Sequence, residues 1–190
     1  MTSSRLFAAA ALGLAVLLPS RLAGEVANPR YRRPAPGFTL VDARRVPVTL
    51  SDFKGKVVLL DFWATWSAGS TVEMPWFAEL EARYRNNGLV VVGVSMDDEG
   101  WAIVTPYLEA HPITYPIVLG SHETAERYGI TSLPVTVLID RNGKVAVKHF
   151  GVVERAPFEN EIRKLLKEHP KKNRADGKNA AGQTTPSSGR

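Results

Sequence analysis

The chain has 190 residues, 44% of them hydrophobic and 23% charged, which suits one globular domain with terminal extensions and excludes a collagen-like, wholly disordered or multi-span membrane protein. Its net charge of +5 belongs to the ends: residues 1–36 and 170–190 each hold five Lys/Arg against one acid, while residues 37–169 hold 14 against 17. Basicity outside the folded part argues against nucleic-acid binding, and the absence of any cysteine excludes a disulfide, a thiolate nucleophile, a thiolate metal ligand and a lipid-modified cysteine anchor.

In chain order, Arg5 precedes the apolar run Leu6–Leu18, which Pro19-Ser20 breaks before the small residues Ala23 and Gly24. This pattern predicts a secretory signal over 1–24; the alternative is an uncleaved anchor that tethers the chain to a membrane. Residues 25–36, rich in Pro and Arg, read as a linker. Phe38–Val41 and Val46–Leu50 predict a short hairpin, and the apolar runs Val57–Trp63 and Leu89–Val94 predict central strands covered on both faces. Thr71–Tyr84 has helical spacing, with Val72, Trp76, Phe77, Leu80 and Tyr84 as its apolar positions; Ser70 and Glu73 have the spacing of a capping box at its start. Glu99–Ala110 predicts a second helix, Tyr115–Leu119 a strand, and Glu123–Tyr128 a short helix stopped by Gly129. Val135–Asp140 and Lys144–Phe150 flank Asn142-Gly143, a hairpin signal. Phe158–Lys167 closes as an amphipathic helix with Ile162, Leu165 and Leu166 inward. Interleaved strands and helices give an α/β fold with a mixed sheet over 37–169. Residues 170–190 lack an apolar period and predict a disordered basic tail.

The residues then point to a family. Val58-Leu59-Leu60-Asp61-Phe62-Trp63-Ala64-Thr65-Trp66 resembles the strand that enters a thioredoxin active site, and Ser51–Lys56 resembles the segment preceding it in exported proteins of the TlpA/ResA kind, relatives of the redoxins. Glu73-Met74-Pro75, Leu133-Pro134-Val135-Thr136 and Asp140–Lys144 match later motifs of that family in the same order, over about residues 36–168. The resemblance implies a thioredoxin fold: a mixed central sheet flanked by helices, an N-terminal hairpin and a central helix–strand insertion. It also implies a cis peptide bond before Pro134, thiol–disulfide oxidoreductase ancestry with a role in disulfide reduction or cytochrome c maturation, and exported polypeptides or a membrane redox partner as partners.

The match breaks at the centre. Where the family has Trp-Cys-x-x-Cys, this chain has Trp66-Ser67-Ala68-Gly69-Ser70. A hydroxyl does not ionise usefully near neutrality and forms no mixed disulfide, so thiol chemistry is not expected at Ser67 or Ser70. Asp61 and Glu73 match the family's acids near the dithiol. From the residues alone, Asp61 reads as a buried acid with a raised pKa and Glu73 as a helix cap. Neither serine has a histidine in the matched motifs to act as base, so helix capping is the simpler reading for both. His111, His122, His149 and His169 lack ligand spacing, and neither a metal nor another cofactor is expected.

Two functional classes remain open. One is a polypeptide-binding or holding module that uses Trp66, Ser67, Ser70, Leu133 and Pro134, because strand addition needs main-chain groups and no sulfur. The other is a Cys→Ser form of an oxidoreductase, engineered or degenerate. The basic ends, with Arg30, Arg32 and Arg33, add the prospect of weak contact with an acidic membrane surface.

Overall fold

The structure, a computed structural model, describes residues 25–170. The predicted signal segment and all but the first residue of the predicted tail lie outside the described residues.

The two long apolar runs form the centre. β3 (Val57–Trp63) and β4 (Leu89–Ser95) pair in parallel, and all seven residues of β3 are buried. β5 (Ile117–Leu119) extends the sheet beside β4, while β6 (Val135–Ile139) and β7 (Val145–Phe150) continue it antiparallel on the other side. The order β5-β4-β3-β6-β7 gives the mixed sheet expected of the α/β class. β1 (Thr39–Val41) and β2 (Pro47–Thr49) form the separate N-terminal hairpin.

The period of two along β3 sorts its side chains into two cores. Val57, Leu59 and Trp63 pack with Met74, Trp76, Phe77 and Leu80 of α1 (Ala68–Tyr84), Val104 of α2 (Trp101–Ala110), and Phe158, Ile162 and Leu165 of α4 (Arg155–Lys167). Val58, Leu60 and Phe62 face the other way, with Phe38 and with Tyr128 of α3 (His122–Tyr128). Ser121 caps α3 by accepting from the Thr124 N–H, and Gly129 ends it in the left-handed region at φ 63°.

α1 departs from expectation. It starts at Ala68, with Ser67 as the flanking residue, and no side chain caps it. Ser70 therefore lies inside the first turn, and the predicted Ser70–Glu73 capping box does not form. The buried face also differs from the expected one, because α1 lays Met74, Trp76, Phe77 and Leu80 on the sheet: Val72 is exposed, while Glu73 and Met74 point inward. Leu166 of α4 is only partly buried.

Residues 25–36, read as a linker, are pinned to the sheet. The Ala27 N–H donates to the Ala146 carbonyl (2.8 Å), the Val145 N–H to Arg33 (2.9 Å) and the Ala35 N–H to Gly143 (2.9 Å). These bonds cover the outer edge of β7, which would otherwise expose unpaired main-chain groups. Arg32 clips the segment down. Its guanidinium is buried, donates to the Ala27 carbonyl, grips Glu168 with two N–H groups (2.6 and 2.7 Å) and reaches Asp140 at 2.9 Å. Asp140 also accepts from the Asn142 and Lys144 N–H groups, so the clip organises the β6–β7 turn. Arg32 is thereby withdrawn from the basic surface that the sequence suggested. Removing one partner of a buried ion pair strands the other, so Arg32→Ala is expected to lower unfolding stability by about 3 kcal/mol, read from urea denaturation; a loss below about 1 kcal/mol would contradict the clip.

Candidate functional site

The site lies where β3 ends. Residues 64–67 turn out of the strand into α1, and Asp97, just beyond β4, holds that turn. Its carboxylate accepts from the Thr65 N–H (3.1 Å), the Thr65 hydroxyl (2.6 Å) and the Ser95 hydroxyl (2.9 Å). A buried carboxylate with this many donors is a firm anchor. Nothing in the local sequence marks Asp97; it reaches Thr65 only because β4 lies beside β3 in register, with Ser95 opposite Trp63.

Above the turn, the Leu133–Pro134 peptide bond is cis. Gly69 comes so near this loop that an added Cβ would lie 3.1 Å from Pro134 Cδ and 2.9 Å from Val152 Cγ2. The structure thus brings Ser67, Gly69, Ser70, Leu133 and Pro134 together. The Pro134 carbonyl accepts from the Gly151 N–H, which fixes the 150–153 loop beside them. Trp66 (69% exposed) on the turn, Val72 (63%) on α1, and Phe150 (53%) and Val152 (58%) at the end of β7 and in the loop after it are exposed apolar side chains. Of these only Trp66 stood out in the sequence as a binding residue. The pair Val152-Val153 after Gly151 was the available signal for the loop, but it carries no period.

Below the turn lies a buried polar cluster. Asp61 is fully buried, opposite Thr136 on β6 and Gly93 on β4. Burial holds its carboxyl well above the usual carboxylate range, and the nearby Glu73 pushes it further. Glu73 accepts the Val153 N–H at 2.6 Å through Oε1. Its pKa is raised by burial, with the Val153 N–H and His149 opposing. The predicted cap is thus replaced by a link between α1 and the 150–153 loop. Among the described residues, both oxygens of Asp61, Glu73 Oε2, Ser70 Oγ, Thr136 Oγ1, Trp63 Nε1 and the Tyr115 hydroxyl find no hydrogen-bond partner. Unpaired polar groups at this density are costly to bury, and protonated acids lower that cost.

Ser67 is largely buried at the helix start and Ser70 completely so. His149 approaches the cluster, but its Nε2 lies 2.7 Å from Glu161 Oε2, and Ser70 has no base. The arrangement does not activate a serine nucleophile. Among the described residues no group of three or more acids or histidines could hold a metal ion.

Comparison with known proteins agrees with this geometry. Residues 31–148 match the AhpC/TSA family. The chain belongs to that family. Within it, this AhpC/TSA-family chain is 30% identical over 132 residues to the thiol-disulfide oxidoreductase ResA of Bacillus thuringiensis subsp. konkukian, covering 69% of this chain and 76% of the relative. It is 38% identical over 112 residues to ResA of Geobacillus thermodenitrificans, covering 58% and 64%. Among solved structures, a protein assigned as the thiol:disulfide interchange protein DsbE of Chlorobium tepidum superposes with a TM-score of 0.67 at 33% identity, covering 71% of this chain and 96% of that one. The thioredoxin fold and the TlpA/ResA-like kinship are therefore established, in a chain that has no cysteine.

The raised pKa of Asp61 has a consequence for stability. The folded chain retains a proton that the unfolded chain releases near pH 4, so this stabilisation is complete below that pH and is lost as pH rises toward the folded-state value. Urea midpoints between pH 4 and pH 8 are expected to fall in the wild type and to fall less in Asp61→Asn; identical slopes would refute the assignment.

Proposed function

We propose that this chain is an exported, redox-inactive member of the ResA-like group that binds polypeptides in extended form beside Leu133. One observation carries the reading: among the described residues nothing hydrogen-bonds to the Leu133 N–H or C=O. A main chain with both groups unpaired is a template for strand addition, and affinity from such pairing does not depend on sulfur. Trp66 supplies a large rigid contact of the kind that dominates binding energies. Ser67, Ser70 and Pro134 line the turn below. The apolar run Leu6–Leu18 supports an extracytoplasmic setting such as a periplasm, with the segment cleaved or kept as a tether. Titration with a reduced, alkylated unfolded polypeptide is expected to saturate, and Trp66→Ala is expected to weaken binding by about tenfold. Absence of saturable binding would end this reading.

A second reading has its own support: by their place in the resembling motif, Ser67 and Ser70 match the family's dithiol positions, and the buried acids Asp61 and Glu73 match its acids. On this reading the chain is a Cys→Ser form of a thiol–disulfide oxidoreductase, which meets exported polypeptides or a membrane redox partner. The chain as written is expected to reduce insulin no faster than buffer, and the double variant Ser67→Cys/Ser70→Cys to gain activity. An inactive double variant that remains folded would remove this second reading.

A further inference from the structure

A separate concavity of about 510 Å³ lies away from the 66–70 turn, between the pinned 25–36 segment, α3 and β7. Its charged groups are unequal. Among the described residues Arg33 and Lys148 make no ion pair, and Arg127 pairs only loosely with Glu123 at 3.9 Å. Among the described residues Glu25 is the one carboxylate on the wall, and Arg32, also lining it, is neutralised by Asp140 and Glu168. Lys148 is half-buried, and its ammonium donates to the Tyr128 carbonyl, a neutral acceptor that leaves two N–H groups unspent. Burial lowers its pKa, as expected for a cation without a counter-charge. Pro34, Ala146 and Val147 give the cavity an apolar floor, and Tyr31 stands exposed at its edge.

Exposed Arg33 and Arg127 line this cavity with the half-buried Lys148, and an anion held there would supply the counter-charge that Lys148 lacks. Oxyanions suit the donor set best, because arginine offers a planar fork and lysine a point charge. We propose that this cavity binds a phosphate group through Arg33, Arg127 and Lys148, the phosphate being either free or carried by a lipid headgroup. Chain reach is compatible with the lipid source: Leu18, the last residue of the apolar run, lies seven residues before Glu25, so the chain between them spans at most about 25 Å. The proposed site is distinct from a diffuse basic surface, because it depends on a half-buried lysine in the sheet.

The test uses the full chain. Titration with inorganic phosphate at constant ionic strength, followed by amide NMR, is expected to give saturable shifts confined to the surroundings of Tyr31, Arg33, Arg127 and Lys148. Lys148→Met is expected to weaken phosphate binding by about tenfold, the effect of losing one charge-assisted hydrogen bond, and the surface pair Arg33→Ala/Arg127→Ala, which removes two donors, by about a hundredfold. A parallel arm compares phosphatidylglycerol with phosphatidylcholine vesicles. Binding to the anionic vesicles that both variants lose supports a lipid phosphate as the source; phosphate binding without vesicle binding supports a free one. No saturable response in either arm, or responses unchanged in both variants, would overturn the proposal.

Discussion

The constraint on which the site depends is the complete burial of β3 between two neighbours. Seven consecutive buried residues leave the strand no freedom of register: Asp61 must lie opposite Thr136 and Gly93, and the chain must emerge toward Asp97. A one-residue slip would exchange the two cores and carry Asp61 to the opposite face. The turn at 64–67, the start of α1 and the meeting of Gly69 with Pro134 all follow from where that strand ends.

Beneath the turn, the chemistry differs from what the scaffold serves in its relatives. The hydroxyl of Ser70 shares a buried space with two acids, and none of the three forms a complete set of hydrogen bonds. In such a space the acids are favoured in their neutral form, which suits a region where no thiolate has to be formed or discharged. What persists is geometric: a rigid turn, a cis-proline loop and exposed apolar side chains held around it. These parts do not need sulfur, and they are the ones on which polypeptide binding would draw.

The N-terminal segment plays a larger structural part than its composition suggests. Through Arg32 it joins the β6–β7 turn to the end of α4, elements 108 and 136 residues away in sequence. The same segment shields the edge of β7 and forms one wall of the cationic cavity. One stretch of 12 residues, rich in Pro and Arg, thus closes an edge and shapes a surface.

Strand positions were legible in the sequence because buried strands need unbroken apolar runs, and Val57–Trp63 and Leu89–Val94 are such runs. The family motifs likewise pointed to Ser67, Ser70 and Pro134, and the lack of cysteine follows from composition alone. Tertiary structure decided which polar groups meet. Ser70 and Glu73 have the spacing of a capping box, yet α1 begins at Ala68 and packs so that both residues are buried. Asp97, Val153 and His149 entered the site through strand register and loop packing, neither of which leaves a local pattern. Arg32 looked like part of a linker until a distant carboxylate pair appeared beside it. Periodicity records which face of an element is apolar, but a long-range polar contact is set by how whole elements pack, and only the folded chain contains that information.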